Sequence, residues 1–468
     1  MMLALTLLIS LLLGLLPCLW FFNGKQPFPG RVLFNLSAPL GVGISSVIFI
    51  ILNLIGLPVY LIFLLELALI GFAIYRYKIF QNNNLRQLLR PTGILNTNEL
   101  FKNPLLLLIT VVYAYAWLMN AGIFTFDTIK EPHGLWDAWN YWNLKAKLIS
   151  KAPDIWPTLF HRMGSEEYHV DYPLLQTGFI ALCWMNLKSE TVLVPIILAF
   201  VFTFCTVGLL SSAVSFFTNK TKGLIAGLLL LATPFFMTMG DSQYADNTVG
   251  FFFLATTILL TFARSENVQR PQLFIAAGIT AGLSAWSKNE GLLFIVCLFL
   301  SQVPLIFFKN FRELFHELKY IVYGMLPTLI LIFYYKTNIA PPNDIVHAQG
   351  SETLVKITDP TRYALINQWF YQTFGTFGKW FINPWWLFIG AALYLGISFK
   401  AHKNSLIAGF SLLLLMMCGF YSIYVITPLE LTFHLSTSIH RLFFQLFPTF
   451  IFIYLLALKP RTSNIKKQ

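Results

Sequence analysis

Long apolar segments separated by short polar ones run along the whole chain of 468 residues. A helix of about 20 apolar residues crosses the hydrocarbon core of a bilayer. By this criterion spans are predicted near 2–22, 37–56, 58–75, 104–122, 191–216, 223–239, 249–263, 272–287, 291–308, 320–335, 379–398, 405–426 and 442–458. The pattern predicts an all-α integral membrane protein, a polytopic bundle of about 13 transmembrane helices.

Basic residues between these segments orient the bundle. They cluster at Lys25/Arg31, Arg76–Arg90, Lys220/Lys222, Arg264/Arg270, Lys309–Lys319, Lys400/Lys403 and Lys459–Lys467. Lys and Arg are enriched in cytoplasmic loops. Alternating the spans puts every cluster on one side, with the N-terminus outside and the C-terminus inside. Residues 2–22 are kept as the first span because they lack a basic flank and a cleavage site.

The polar segments on the opposite side are long enough to be functional. They are 123–172 and 336–378, two large external loops with interfacial helices, and the shorter 240–248 and 427–441. Between the first loop and Lys220 lie two apolar runs, 173–186 and 191–216, and two full crossings there would break the alternation. The pair is therefore interpreted as one crossing plus a partial or interfacial segment.

Composition agrees with a membrane protein and argues against a nucleic-acid-binding one. Hydrophobic residues make up 57% of the chain and charged residues 11%, against about 25% charged in soluble domains. The net charge of +12 comes from the dispersed clusters and not from a basic stripe, so no nucleic-acid partner is expected. The five cysteines lie inside apolar runs without a CxxC motif, as packing residues do.

The first external loop reads Trp-Asp-Ala-Trp-Asn-Tyr-Trp over residues 136–142. From Asp137 onward the pattern predicts an amphipathic interfacial helix. Trp136, Trp139 and Trp142 would lie at headgroup depth, and the helix dipole would favour Asp137 in the first turn. Both an aromatic helix with an acidic start and a catalytic carboxylate fit this pattern.

Further candidates follow at the same face. His169 and Tyr172 belong to a His-x-x-Tyr-Pro-Leu segment, which could also be a charged loop that ends at a helix-starting proline. Asp241, Tyr244 and Asp246 lie between two apolar runs, where they form either a solvated turn or a site. Acidic groups where a membrane helix begins are functional candidates.

Two external stretches also carry cations. Lys288 departs from the positive-inside pattern, so it is expected either to pair with Glu290 or to bind a phosphate. His434 and Arg441 are seven residues apart and share one face if the segment is helical. For Arg441 the alternatives to a phosphate are snorkelling to the interface and pairing with an external carboxylate such as Glu430.

Together these groups suit a reaction on a lipid-linked anion. A carboxylate takes a proton from an acceptor hydroxyl, and cations hold a phosphate and stabilise it as a leaving group.

The set of motifs resembles the GT-C superfamily of membrane glycosyltransferases, which use polyprenyl-phosphate-linked sugars as donors. Similar members are the bacterial lipid A and lipopolysaccharide sugar transferases and the protein O-mannosyltransferases. The resemblance rests on 136–142, on 169–174, on Tyr-x-Asp at 244–246 and on Ala-x-x-Lys-x-Glu-Gly at 285–291. It implies a catalytic core of about 104–310 within a single transmembrane domain covering the 468 residues.

By resemblance, Asp137 corresponds to the catalytic carboxylate, Lys288 lies near the donor phosphate, and Asp246 shapes the sugar or acceptor pocket. Charge and sidedness add Arg441 and His434 to the phosphate site. The expected substrate-binding residues are His169, Tyr172, Asp241, Tyr244, Asp246 and Glu290. The chain departs from the family in having three extra spans before the acidic loop. It also has one Asp where relatives have an acidic pair, which leaves the use of a divalent metal open; no metal ligands are assigned.

The expected function is therefore an inverting hexosyl or pentosyl transfer from a polyprenyl-phosphate sugar to a glycan, lipid or protein acceptor. The expected location is the bacterial inner membrane, with the site facing the periplasm or exterior. One alternative is a transporter or flippase, which should show corresponding broken helices in two related halves. Another is an O-antigen polymerase or ligase-like enzyme, which is organised around Arg-rich external loops.

Overall fold

The computed structural model of the chain describes residues 1–23, 29–77, 97–163, 168–265, 270–380 and 383–459. Of the predicted basic clusters, Lys25, positions 78–90 and positions 460–467 lie outside these ranges. Within them the backbone is helical, and its β-type pairing is an isolated bridge between Ile397 and Leu458.

The helices of the first half include long apolar ones and several short ones in and around the first polar loop. They are α1 (Met2–Phe21), α2 (Gly30–Leu54), α3 (Val59–Tyr77), α4 (Thr97–Lys102), α5 (Pro104–Lys130), a π-helix (Ala138–Asn143), α6 (Leu144–Lys151), α7 (Trp156–Arg162), α8 (Leu175–Leu187) and α9 (Leu193–Phe217).

The second half begins with a sharply bent helix pair. Its elements are α10 (Lys220–Leu231), α11 (Pro234–Asp241), α12 (Ala245–Arg264), α13 (Pro271–Ser287), α14 (Glu290–Leu300), a 3₁₀ helix (Val303–Phe307), α15 (Phe311–Asn338), α16 (Asp344–His347), α17 (Ser351–Thr358), α18 (Pro360–Thr376), a 3₁₀ turn (Phe377–Lys379), α19 (Trp385–Leu395), α20 (Lys403–Ile426) and α21 (Leu431–Ala457).

The all-helical membrane fold is confirmed. Ten helices of the described residues are long and apolar enough to cross a bilayer; α10 and α11, bent by 67° at their junction, make an eleventh if counted together. The ten are α1, α2, α3, α5, α9, α12, α14 with its 3₁₀ extension, α15, α20 and α21. α8 has 13 residues, too few for a full crossing, in agreement with the partial segment predicted at 173–186.

Two element boundaries differ from the predicted ones and matter for the site. α21 begins at Leu431, eleven residues before the predicted last span, so most of the stretch 427–441 is helical and not a loop. α5 continues to Lys130, which shortens the first loop. Both helices begin where a polar side chain caps the first turn: Asn103 accepts from Leu106 N at 3.1 Å, and Glu430 accepts from Thr432 N at 2.9 Å.

The core of the bundle is α12, whose apolar stretch is entirely buried. Beside it, α13 and α15 approach so closely that their glycines have no room for a side chain. A Cβ on Gly278 would lie 2.0 Å from the carbonyl oxygen of Ile321, and one on Gly324 would lie 2.1 Å from that of Ile275. Small residues allow such close contact between membrane helices. The packing of α13 on α15 therefore holds the end of α13 in position.

Ion pairs hold the end of α12 that is remote from Asp246. Arg264 lies 3.2 Å from Glu317 of α15 and donates to Gln302, just beyond α14, at 2.5 Å. Lys309 also contacts Glu317, a buried carboxylate. This inner ion cluster (Arg264, Gln302, Lys309 and Glu317) ties three helices together, because a buried carboxylate is stable only when paired.

Candidate active site

Asp246, in the first turn of α12, is the centre of a buried group of charges at the other end of the bundle. The side chain is fully buried, with 0% of its surface exposed. Its Oδ1 accepts from Lys288 Nζ at 3.1 Å and from Gln445 Nε2 at 2.7 Å. Its Oδ2 accepts from Arg441, from Nη2 at 2.7 Å and from Nε at 3.1 Å. Both carboxylate oxygens therefore have cationic partners, as a buried charge requires.

A tight backbone contact brings the first large loop, 123–172, to this group. Leu135 N donates to the carbonyl oxygen of Ser242 at 3.1 Å. Gly134 has φ +72°, and a Cβ there would lie 2.5 Å from the same oxygen, so only glycine fits. The following turn places Asp137 Oδ2 at 2.7 Å from Arg441 Nη2. Asp137 makes no side-chain capping bond to its helix; its partner is Arg441.

Arg441 is the residue that joins the two carboxylates. It lies within α21 and not at the boundary of a span, which corrects the position inferred from the sequence. Its guanidinium bridges Asp137 and Asp246 and lies 4.7 Å from the centre of the Tyr244 ring, close enough for a cation–π interaction. Pairing with Glu430 is excluded, since that carboxylate caps the start of α21.

Lys288 and Glu290 complete the group from the turn between α13 and α14. Lys288 Nζ lies 2.7 Å from Glu290 Oε1, so the predicted ion pair forms. Burial alone would lower the pKa of Lys288, but Asp246 and Glu290 raise it above its usual value, and the ammonium stays charged.

We call these six residues the outer charge cluster: Asp137, Asp246, Lys288, Glu290, Arg441 and Gln445. It holds three carboxylates and two cations. Lys288 and Asp246 are enclosed, with side chains 4% and 0% exposed, whereas Arg441 is 19% exposed and Asp137 14%. Glu290 is also 14% exposed, so an incoming ligand meets Arg441, Asp137 and Glu290 before Lys288 and Asp246.

A second polar network supports the cluster from the side. Buried Asp171 accepts at Oδ2 from Asn289 at 2.8 Å and from Asn343 at 2.7 Å, and Lys336 Nζ lies 3.8 Å from the same oxygen. Burial would raise the pKa of Asp171, but His169, Lys336 and the two amides lower it to about 2. The network joins the two large loops, 123–172 and 336–378, to the turn that carries Lys288.

Aromatic rings line the path between the two networks. His169, with φ +43°, stacks on Tyr172 at 4.8 Å between centroids and meets the edge of Tyr141 at 4.6 Å. Trp142 stacks on the other side of Tyr172 at 5.7 Å. Trp142 is only 1% exposed, so its ring packs inside the protein and does not anchor the helix in the membrane interface, contrary to the prediction from the sequence. Trp136 and Trp139 are exposed.

Lys145 is a buried lysine that sequence reasoning did not single out. Its ammonium donates to the carbonyl oxygen of His169 at 2.9 Å and lies 4.7 Å from the centre of the Trp142 ring. Burial lowers its pKa to about 7. It fixes the backbone at His169, whose left-handed conformation is otherwise disfavoured.

Replacing Lys145 by Met should change thermal stability more favourably at pH 6 than at pH 9. Below pH 7 Lys145 is protonated in both the folded and the unfolded wild-type protein. The folded protein then carries the full free-energy cost of burying this charge. Between pH 7 and about 10 the unfolded chain binds more protons, so the free energy of unfolding rises with pH, by up to about 1.4 kcal/mol per unit. Melting curves of both proteins at the two pH values test this, with exposed Lys151→Met as the control. A difference independent of pH would contradict it.

Asp241 and His434, two of the predicted site residues, have their contacts outside the outer charge cluster. Asp241 ends α11, and its carboxyl lies beside that of Asp127. His434 shares α21 with Arg441, as the spacing predicted, but its Nδ1 lies 2.9 Å from Thr427 Oγ1 and its ring packs on Tyr424. Among the described residues no group of three or more His, Cys, Asp or Glu is arranged to hold a metal ion.

Gln445 is the cluster member that the sequence analysis missed. It lies one turn after Arg441 on α21 and donates to Asp246 and, at 3.3 Å, to Glu290. A polar residue four positions from a charged one, inside an apolar run, shares its helix face, and this signal was present in the sequence.

Comparison with known proteins identifies one related family. Residues 172–335 match the family model described as dolichyl-phosphate-mannose-protein mannosyltransferase. The matched segment includes Tyr172, Asp246, Lys288 and Glu290, whereas Asp137 and Arg441 lie outside it. No curated protein and no solved structure matches the chain.

Proposed function

We propose that the chain transfers a sugar from a polyprenyl-phosphate-linked donor to an acceptor on the non-cytoplasmic face of the membrane, as a glycosyltransferase of the GT-C type; the match of residues 172–335 to the mannosyltransferase family model supports this. The observation that supports this proposal is a chain of ion pairs. Asp137 pairs with Arg441, and both Arg441 and Lys288 pair with Asp246. One site then offers a proton acceptor beside two phosphate-binding cations.

In the proposed reaction Asp137 takes the proton of the acceptor hydroxyl. The acceptor oxygen forms a bond to the anomeric carbon as the bond from that carbon to the phosphate oxygen breaks. The electron pair remains on the lipid phosphate, where Arg441 and Lys288 stabilise the developing charge. Attack from the side opposite to the leaving phosphate inverts the anomeric carbon.

The lipid-linked donor is supported by the depth of the cations. Arg441 is ten residues beyond the first residue of α21, about 15 Å along the helix axis. A headgroup carried by a membrane lipid can reach this depth between helices. The family's description names a dolichyl-phosphate sugar, the same class of donor.

The side of the membrane is supported by charge. The basic residues Arg264 and Lys309 lie at the end of the bundle remote from the outer charge cluster. Cytoplasmic ends are enriched in Lys and Arg, so the cluster would face the periplasm or exterior of a bacterial inner membrane. The acceptor is a glycan, lipid or protein of that compartment, as in cell-envelope and lipopolysaccharide assembly.

The test uses purified chain in liposomes with a panel of polyprenyl-phosphate hexoses and pentoses. Release of polyprenyl phosphate with appearance of a glycosylated acceptor is expected, and nucleotide sugars should give none. Asp127→Asn, in a carboxylate of α5 outside the cluster, is the matched control and should retain activity. Movement of the intact lipid-linked sugar across the bilayer, without release of polyprenyl phosphate, would instead support the transporter alternative.

A further inference from the structure

The Arg441 guanidinium is shared unequally between two carboxylates. Its Nη2 lies 2.7 Å from Asp137 Oδ2 and 2.7 Å from Asp246 Oδ2. Asp246 has three further hydrogen bonds, from Arg441 Nε, Lys288 and Gln445. Among the described residues, Arg441 is the one hydrogen-bond donor to the Asp137 carboxylate. Asp137 is therefore the partner that Arg441 loses most readily.

This contact masks the base that the proposed function requires. Arg441 Nη2 donates to Asp137 Oδ2 at 2.7 Å. The contact occupies one of the two carboxylate oxygens through which Asp137 would accept the proton of a hydroxyl. While the contact lasts, that oxygen is engaged by Arg441.

The charge balance shows how an anion would enter. Three carboxylates face two cations, so the outer charge cluster has a net charge of −1 when all five groups are ionised. A phosphate cannot simply be added to such a site; it must replace a carboxylate as the partner of a cation. Asp137 is partly exposed and singly bonded, whereas Asp246 is enclosed and has partners on both oxygens.

Resting on the proposed function, we propose that the donor phosphate displaces Asp137 from Arg441, so that binding of the donor frees the catalytic carboxylate for the acceptor. Arg441 keeps its contact with Asp246 through Nε and turns Nη2 to the phosphate. The donor then binds before the acceptor, and the base is free only when a leaving group is in place. The exchange replaces the hydrogen bond between Arg441 and Asp137 and breaks no covalent bond.

The proposal predicts that removing the Asp137 carboxylate tightens phosphate binding. Farnesyl phosphate, a short water-soluble prenyl phosphate, is the probe, and farnesol is its uncharged counterpart. Its affinity is measured by calorimetry for the purified full chain in detergent. Asp137→Asn and Asp137→Ala should each bind farnesyl phosphate roughly tenfold more tightly than wild type, as expected when one charge-assisted competing bond is lost. Farnesol binding should not change.

Asp137→Glu is the matched control, because it retains a carboxylate that competes for Arg441 and should keep the wild-type affinity. Equal or weaker binding of farnesyl phosphate by both neutral variants would overturn the displacement, while the proposed function would stand if wild type prefers farnesyl phosphate to farnesol. If wild type does not prefer farnesyl phosphate to farnesol, the proposal that the donor is a lipid phosphate is overturned. Melting temperatures of the variants establish that each is folded, and two different neutral side chains guard against a defect peculiar to one.

Discussion

Asp137→Asn is expected to reduce sugar transfer by roughly 10²–10⁴-fold, the contribution of a general base. The amide keeps the size of the side chain and can still contact Arg441, but it cannot accept the acceptor's proton. Arg441 remains paired with Asp246, so the fold should persist. Turnover of a polyprenyl-phosphate sugar by the purified variant measures the effect, and the melting temperature checks the fold.

Two comparisons make this result specific. Asp137→Glu retains a base that is displaced by one methylene and should recover part of the activity. Asp127→Asn changes a carboxylate that contacts Asp241 and not the outer charge cluster, and it should be close to wild type. Full transfer by Asp137→Asn would remove Asp137 from the mechanism.

Arg441→Ala is expected to lose both activity and stability. It removes the donors to Asp246 Oδ2 and leaves a fully buried carboxylate with Lys288 and Gln445 only. Breaking one side of a buried ion pair costs about 3–5 kcal/mol, so a large fall in melting temperature accompanies the loss of donor use. Lys at this position restores a charge but not the two donors that meet Asp246, and it should restore activity only in part.

A double variant separates the two losses. In Arg441→Ala with Asp246→Asn the unpaired charge is gone, so the melting temperature should recover while transfer stays low. Arg362→Ala is the control for the loss of an arginine that is not paired with a carboxylate. Arg362 lies in α18 and donates to the backbone carbonyls of Tyr424 and Thr427. Recovery of transfer in the double variant would show that Arg441 has only a structural role.

The members of the outer charge cluster that were found from sequence are those that interrupt apolar runs. Lys288 departs from the positive-inside pattern that the sequence predicts, and Asp246 lies in the first turn of a helix of 20 residues that is otherwise without charge except at its last position. Charged groups at such positions are expensive in a bilayer, and they are therefore functional candidates. Asp137 was found from its aromatic surroundings and from resemblance, and its carboxylate lies 2.7 Å from Arg441 Nη2.

The remaining features depend on packing between segments far apart in the chain. Asp171 meets Asn343 across 172 positions, and no local pattern pairs them. Trp142 has the spacing of an interfacial residue, but Tyr172 covers it. The depth of Arg441 was misjudged because hydropathy starts the last span at 442, whereas the polar turns before it continue the helix, with Glu430 capping its first turn.

The inner ion cluster has a consequence for the lipid surroundings of the protein. Along α12, Asp246 and Arg264 are 18 residues apart, and along α15, Glu317 and Lys336 are 19 apart. At 1.5 Å per residue these separations are about 27 and about 28 Å. The hydrocarbon core of a bilayer is about 30 Å thick. Two helices thus carry ionic groups at nearly the same spacing, so the apolar thickness of the bundle is set by ion pairs at both ends. A bilayer of markedly different acyl-chain length would have to deform around the protein, because the protein cannot shorten without breaking one of the two clusters.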